Sequence, residues 1–208
     1  MAISRLMQRA GRFLNNLSPL SQKPKNNLIG KPAENARYLW SFLNRIFNKV
    51  DENRIKECGP DRAASEWLIR CGASVRWKGY DKFHNDYNTL PSGQTVIEAI
   101  DATDSCIMSL GFPYLRGLKS LQEINLSKCY YLEDNCLHLL GLYQGDQIRR
   151  LRLVSCGNVS DAGIANLTAM KALEELFMFD LPAVKNREAC IKLLHEALPK
   201  CKIEFPEV

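Results

Sequence analysis

The chain has 208 residues, of which 46% are hydrophobic and 25% are charged, which is the composition of an ordinary globular domain. Six basic and no acidic residues lie in residues 1–33, and removing those six from the net charge of +5 leaves residues 34–208 at −1. This distribution argues against a nucleic-acid partner, because a phosphate-binding domain carries a basic surface on its folded part. No apolar run approaches the roughly 18 to 20 residues that cross a bilayer.

The first predicted element is a basic amphipathic segment. As a helix, residues 1–17 place their apolar residues largely on one side and Arg5, Arg9 and Arg12 toward the other. Basic amphipathic segments without acidic residues resemble mitochondrial presequences. Residues 18–32, with three prolines, are typical of a linker. We therefore expect residues 1–33 to be a removable targeting segment and linker; the alternative is a disordered basic tail.

Residues 34–73 are predicted to form a small N-terminal helical cap. Apolar residues recur at helical spacing over residues 37–50, and the face they form either covers the core or touches a membrane surface or a partner helix. Residues 51–57 predict a short second helix. A third is predicted over residues 60–70, with Pro60 in its first turn and Gly72 as a left-handed stop.

Residues 74–208 contain a repeated apolar frame, the pattern L-x-x-L-x-L-x-x-C, after a first strand at residues 74–77. The frame begins at Ile97, Leu121, Ile148 and Leu173, which are 24, 27 and 25 residues apart. The frames from Leu121 and Ile148 end in cysteine, whereas the first frame has a weaker Ala102 and ends in Ser105, and the last ends in Leu181. This period is typical of leucine-rich repeats. The predicted fold is therefore α/β: a short solenoid of about four cysteine-containing repeats, with parallel strands and outer helices.

Further elements are predicted around these strands. Asp134 and Asp161 precede two of the outer helices, where an aspartate can cap free N–H groups. The helices are expected to cover the strands with Leu132, Cys136, Leu137 and Leu140, and with Val159, Ile164 and Leu167. A C-terminal helix over residues 187–198 and a last strand containing Ile203 and Phe205 would close the array.

No catalytic motif is present, so neither an enzyme nor a small-molecule substrate is expected. The three histidines, His84, His138 and His195, lack a recognisable nucleophile or zinc motif. Eight cysteines without a Cys-x-x-Cys pair do not predict a disulfide framework in a chain without a secretory signal. We expect Cys129 and Cys156 to pack inward as small apolar groups. Cys71 and Cys106 lie outside the repeated frame and are better candidates for an accessible thiol.

One polar stretch follows the first repeat strand. Asp101 and Asp104 bracket Thr103. Carboxylates and free carbonyls suit a hard cation such as magnesium or calcium. The same aspartates could instead cap turns or form a hydrogen-bond network at the end of the solenoid.

Several blocks of sequence resemble the coupling factor B family, also called subunit s of mitochondrial ATP synthase, over about residues 37–200. They are Phe47–Asp51, Gly59–Leu68, Arg70–Ala73, Ile100–Ser109, Ser155–Val159 and Asp180–Val184. The resemblance implies a peripheral protein on the matrix side of the mitochondrial inner membrane. It would bind membrane-sector subunits of ATP synthase and keep proton flow coupled to synthesis by blocking a proton leak.

The resemblance also implies a magnesium site. In the family two main-chain carbonyls hold the ion, and the matching residues here are Gly72 and Thr103, both within intact motifs. The resemblance therefore favours a cation there over a purely structural role for the two aspartates. No feature of the sequence indicates a catalytic role for this ion.

Two other functions remain open. A related repeat family resembles assembly factors for the distal membrane arm of complex I, which would make the chain a protein-binding scaffold. A cytosolic F-box-like adaptor shares the cysteine-containing repeats, but the presequence-like start disfavours it.

Overall fold

The structure is a computed structural model that describes residues 41–91, 93 and 95–207. The chain divides into two units, Met1–Phe42 and Leu43–Val208. The predicted targeting segment and linker lie outside the described residues, as does the start of the predicted cap.

Three helices precede the sheet. The described part of α1 covers residues 41–48, and α2 (Glu52–Cys58) and α3 (Pro60–Arg70) follow. Asp51 caps α2 by accepting a hydrogen bond from Arg54 N, 3.0 Å away. Pro60 occupies the first turn of α3, and Gly72 takes a φ of +90° just after it, as predicted.

A six-stranded sheet forms the centre of the second unit, in the order β1-β2-β3-β4-β5-β6. Its strands are β1 (Ser74–Trp77), β2 (Ile97–Asp101), β3 (Glu123–Ser127), β4 (Arg150–Val154), β5 (Glu175–Phe179) and β6 (Lys202–Glu204). The prediction of parallel strands is confirmed from β2 to β6, but β1 pairs antiparallel with β2. A parallel pair requires a long crossover, usually an α-helix, and the described residues between β1 and β2 form none.

The repeated apolar frames lie side by side in this sheet. The central residues of the four frames pair directly across the strands: Ile100, Ile124, Leu151 and Leu176. Leu176 also pairs with Ile203 of β6. The returning segments are a 3-10 helix at Ser109–Leu115, then α4 (Asp134–Gln144), α5 (Asp161–Asn166) with a 3-10 turn at Leu167–Ala169, and α6 (Arg187–Ala197). The first return is not α-helical because Pro113 interrupts it. This mixed α/β arrangement is compatible with a solenoid-like fold, while the number of leucine-rich repeats stays a prediction.

The same backbone turn follows four strands. Asp104, Lys128, Ser155 and Asp180 have φ between 51° and 56°, and they repeat the 24, 27 and 25-residue spacing of the frames. The first three donate their N–H to a carbonyl of the next strand, at 2.8, 2.8 and 3.0 Å. Left-handed φ is uncommon for residues other than glycine. Its recurrence at one position of the frame is therefore a second sign of the repeat.

The core contains the side chains that the frames predict. All seven residues expected to cover the strands are at most 1% exposed. Cys129 and Cys156 are fully buried, and their thiols donate to the carbonyls of Ala102 (3.0 Å) and Leu126 (3.3 Å) of the preceding strand's frame. Each thiol thus packs as a small apolar group and also links two neighbouring units.

The prediction that Asp134 and Asp161 cap their own helices is wrong. The N-cap residues are Glu133 and Ser160, and each aspartate is the first residue inside its helix. From there the Asp134 carboxylate accepts hydrogen bonds from the N–H and hydroxyl of Ser160, at 2.8 and 2.5 Å. Asp161 accepts from the N–H groups of Lys185 (3.2 Å) and Asn186 (3.0 Å). Each carboxylate therefore fastens its helix to the start of the next helix.

Candidate functional site

The structure brings Gly72 and Thr103 to the same end of the sheet. Gly72 lies between α3 and β1, Thr103 follows β2, and Ser74 pairs with Asp101 where these two antiparallel strands meet. Cys106 N donates to Cys71 O at 2.9 Å. A Cβ built on Gly72 would lie 4.0 Å from Ser105 Cα. The chain after α3 and the chain after β2 therefore run in direct contact, and we call this region the junction.

Both carbonyls proposed as ligands are free at the junction. Gly72 and Thr103 are exposed, and among the described residues no donor reaches either carbonyl oxygen. Their N–H groups are engaged instead, that of Gly72 with Ile69 O (3.1 Å) and that of Thr103 with Asp101 Oδ1 (3.1 Å). Two unpaired carbonyl oxygens are suitable ligands for a hard cation that retains most of its waters. The donor set fits magnesium.

Asp101 fixes the position of Thr103. One carboxylate oxygen, Oδ1, accepts hydrogen bonds from Thr103 N, from the Thr103 hydroxyl at 2.6 Å and from Asn125 Nδ2 at 3.1 Å. Ser127 in turn donates to Asn125 Oδ1 at 2.6 Å. Asp101 therefore caps the turn after β2, which is one of the two roles the sequence left open.

Asp104 has a different environment. Its N–H donates to Ser127 O at 2.8 Å, while within the described part of the chain its carboxylate has no hydrogen-bond or ion-pair partner. Asp104 adds an exposed negative charge one residue from Thr103, which favours a cation there electrostatically.

Asn48 is a buried polar centre that the sequence did not indicate. Its side chain is fully buried and makes four hydrogen bonds, the full capacity of an amide. Nδ2 donates to the carbonyls of Asn44 and Cys106, both at 2.9 Å, and Oδ1 accepts from Met108 N (2.8 Å) and Trp67 Nε1 (3.2 Å). Asn48 therefore ties α1 to α3 and to the chain just after Thr103.

The buried side of α1 consequently differs from the prediction. Asn44 and Asn48 are buried, whereas Ile46, expected on the buried apolar face, is 49% exposed. An asparagine four residues from another asparagine on a helix normally indicates the solvent side. The i,i+4 pair of asparagines is the local feature of the sequence that marks this position, but by itself it would have been assigned to the solvent side.

Trp67 belongs to an aromatic cluster next to the junction. Its ring stacks on Tyr114 with centroids 5.4 Å apart, and the Tyr114 hydroxyl accepts a hydrogen bond from Asp51 N at 2.9 Å. A Cβ on Gly111 would lie 2.4 Å from the Trp67 ring, so only glycine allows this close approach. Trp67, Tyr114 and Gly111 therefore form a close-packed cluster, which Asn48 links to Cys106 of the junction.

The two cysteines at the junction differ in exposure. Cys71 is buried and Cys106 is half-buried. The neighbouring Cys106 thiol and burial raise the pKa of Cys71, whereas the Cys71 thiol lowers the pKa of Cys106. Cys106 is therefore the more accessible thiol of this pair.

Side-chain metal chemistry has no support elsewhere in the described part. No group of three or more His, Cys, Asp or Glu side chains there could hold a metal ion. His84 packs against Trp77 with ring centroids 4.8 Å apart, and His138 and His195 are exposed on α4 and α6.

No described helix is long and apolar enough to cross a membrane.

Comparisons with known proteins identify the family. No family model matches the chain. ATP synthase subunit s, mitochondrial, of Bos taurus is 46% identical to it over 178 residues, which cover 83% of this chain and 89% of that protein. The proteins of the same name from Rattus norvegicus and Homo sapiens are 47% and 46% identical over 175 residues, 82% of this chain and 88% of each relative. The chain therefore belongs to the family of mitochondrial ATP synthase subunit s, or coupling factor B.

Proposed function

We propose that this protein is a non-catalytic regulator of mitochondrial ATP synthase. It binds membrane-sector subunits on the matrix side of the inner membrane as a peripheral protein and blocks a proton leak, so that proton flow stays coupled to ATP synthesis. The observation that carries this proposal is the 46 to 47% identity to subunit s over more than four-fifths of the chain. Residues 1–33 would direct import.

The fold supports a binding role. The six-stranded, mostly parallel sheet with helices is compatible with a solenoid-like fold, and the broad faces of such a fold suit protein partners. Cys129, Cys156 and Asp101 are engaged in packing and turn formation, which fits a structural role for these side chains.

We further propose that magnesium binds between the main-chain carbonyls of Gly72 and Thr103. The ion would supply positive charge that links the end of the helical cap to the turn after β2. Asp101 would hold Thr103 in place, and Asp104 would add negative charge nearby. Because only two protein ligands are used, the affinity should be modest.

The functional proposal can be tested by depletion and return. Inner-membrane vesicles depleted of the endogenous protein should leak protons through the membrane sector and make ATP slowly. Adding the purified chain should restore both the proton gradient and the ATP synthesis rate. An inhibitor of the membrane-sector channel should restore the proton gradient but not ATP synthesis. Unchanged leak after addition would contradict the proposal.

Affinity purification from solubilised mitochondria separates this function from the alternative. Recovery of ATP synthase subunits supports the proposal. Recovery of complex I assembly intermediates without ATP synthase would instead identify an assembly factor for the distal membrane arm of that complex.

A further inference from the structure

The junction brings together two cysteines that are distant in the sequence. Cys71 caps the end of α3, and Cys106 lies in the chain after β2. Cys106 N donates to Cys71 O at 2.9 Å. With standard bond lengths, a main-chain contact of this length keeps the two Cα atoms no more than about 7 Å apart, which is the limit for a disulfide. The backbone therefore places the pair within bridging distance.

The two side chains also approach each other. The Cys106 thiol is the main cause that raises the pKa of Cys71, and the Cys71 thiol is the main cause that lowers the pKa of Cys106. Each thiol acts this strongly on the other only at close range. The sulfur atoms therefore converge, which is the second requirement for a bridge.

The two thiols have different access to solvent. Cys71 is 3% exposed, whereas Cys106 is half-buried. The thiolate is the reactive form, and the lowered pKa of Cys106 favours it. Cys106 can therefore react with an oxidant from solvent, while Cys71 has only to reach the Cys106 sulfur.

A second pair of cysteines provides an internal comparison. The Cys156 thiol raises the pKa of Cys129, and the Cys129 thiol lowers the pKa of Cys156, so these thiols also lie close together. Both side chains are fully buried, and their thiols donate to Ala102 O and Leu126 O. A solvent oxidant reaches neither sulfur unless the core opens. Exposure of one thiol, and not proximity alone, therefore distinguishes the pair at the junction.

The other four cysteines lack a neighbouring thiol among the groups that shift their pKa. Cys58 is half-buried, but burial raises its pKa and its thiol donates to Arg54 O at 3.0 Å. Cys136, Cys190 and Cys201 are buried, and burial raises the pKa of each to about 11. Cys71 and Cys106 are thus the pair suited to oxidation.

We propose that Cys71 and Cys106 form a reversible disulfide that braces the junction covalently. The oxidant is a hydroperoxide such as hydrogen peroxide, and a small thiol reverses the reaction. This inference goes beyond the proposed function by assigning a redox modification, and it depends neither on ATP synthase nor on bound magnesium.

The oxidation balances in two steps. The Cys106 thiolate attacks one oxygen of hydrogen peroxide and the O–O bond breaks. The other oxygen takes a proton and leaves as water, so that Cys106 becomes a sulfenic acid. The Cys71 sulfur then attacks the Cys106 sulfur, the S–O bond breaks, and the hydroxide leaves as water with the proton of Cys71. The two thiols together lose two electrons and two protons.

The bridge should stabilise the fold. It would close a loop between residues 71 and 106, and in the chain-entropy model such a link restricts the unfolded state. It would also join the segment after α3 to the segment after β2. The oxidised protein should therefore have a higher Tm than the reduced protein.

The test treats the full, reduced chain with hydrogen peroxide, blocks remaining thiols with N-ethylmaleimide and digests the protein with trypsin without reductant. The inference predicts that the peptide of residues 71–76 is linked to that of residues 83–116, and that dithiothreitol separates them. Cys71→Ser should abolish the link and leave a sulfenic acid on Cys106 that dimedone traps. Cys129→Ser is the matched control from the buried pair and should not change the yield of the link.

Any of three results would overturn the inference. They are the absence of the linked peptides from the wild-type digest, a bridge that joins Cys129 to Cys156 or that uses Cys58 instead, and a Tm of the oxidised wild type no higher than that of the reduced protein. The wild-type digest and melt decide the matter even where a variant does not fold.

Discussion

Asp101 Oδ1 accepts hydrogen bonds from both the main-chain N–H and the hydroxyl of Thr103, at 3.1 and 2.6 Å. One carboxylate oxygen therefore fixes the peptide and the side chain of a residue whose carbonyl is left free. Since Thr103 is one of the two proposed magnesium ligands, Asp101 acts as a positioning residue for the ion.

Replacing Asp101 should weaken metal binding without removing a ligand. We expect Asp101→Ala to reduce the affinity for Mg²⁺ or Mn²⁺, measured by calorimetry, by about 10- to 100-fold, as is typical when support for a ligand is lost. Asp180→Ala is the matched control, because Asp180 bonds the Ser155 hydroxyl at 2.7 Å in a different unit. Equal affinities for wild type and Asp101→Ala would refute the positioning role, and no binding by wild type would refute the site.

Loss of the Asn48 amide should destabilise the protein strongly. Asn48→Ala leaves Trp67 Nε1, Met108 N and Cys106 O without their partner in a buried setting. At about 1–3 kcal/mol for each unsatisfied group, and with some relaxation, we expect the free energy of unfolding to fall by about 2–4 kcal/mol. Urea denaturation measures this. The exposed Asn135→Ala should change it by less than about 0.5 kcal/mol, and a similar value for Asn48→Ala would contradict the assignment.

Asp161 should contribute to the acid sensitivity of the fold. Its hydrogen bond from Asn186 N–H, with further contributions that include the Cys190 thiol, lowers the pKa of this carboxyl from its ordinary value of 3.8. Because the pKa of Asp161 is lowered in the folded state, the ionised carboxylate stabilises the fold fully at pH values well above 3.8. This stabilisation is lost as the pH falls through the folded-state pKa. The Tm advantage of wild type over Asp161→Asn should therefore shrink as the pH is lowered from 6 to 3.

The matched control for this pH dependence is the exposed Asp146, in the turn after α4. Asp146→Asn should shift Tm little at any pH in this range. A Tm difference between wild type and Asp161→Asn that stays constant down to pH 3 would contradict the prediction.

Cys106 should be the first thiol to react in the native protein. It is half-buried and its pKa is lowered by the Cys71 thiol, whereas burial raises the pKa of Cys58, the other half-buried thiol of the described part. The thiolate is the reactive form, so limiting N-ethylmaleimide at pH 7.5 should modify Cys106 before the buried cysteines. Peptide mass spectrometry locates the adduct, and Cys106→Ser should lose the fastest phase. First modification at Cys129 or Cys156 would be incompatible with the packing.

The sheet was predictable because each strand repeats one apolar frame. Residues at the same position, such as Ile124 and Leu151, must face one core, and their register follows from the period. Pro60 and Gly72 likewise gave the limits of α3, because their backbone preferences are local.

What the sequence missed depends on contacts between distant residues. The Asp134 carboxylate bonds a residue 26 positions later, and the Asn48 amide bonds residues up to 60 positions away. Local rules assign an aspartate near a helix start to its own helix and an asparagine on a helix to solvent. Lys128 and Ser155 also carry no glycine-like signal for their positive φ.

The candidate site was predictable only in part. Gly72 and Thr103 came from the family resemblance, and the residue pattern alone left the roles of Asp101 and Asp104 open. Their roles depend on which oxygen accepts which hydrogen bond, and this is decided by the pairing of β1 with β2 and by Asn125 of β3.

The fastening of each outer helix to the next by Asp134 and Asp161 has a consequence for how the protein responds to stress. Because each unit is held mainly by its immediate neighbours, the stability of the array depends on the successive contacts between neighbouring units. Fraying at the β6 end can proceed unit by unit while the Gly72–Thr103 junction stays intact. A disturbance at one end reaches the other only by passing through every unit between them.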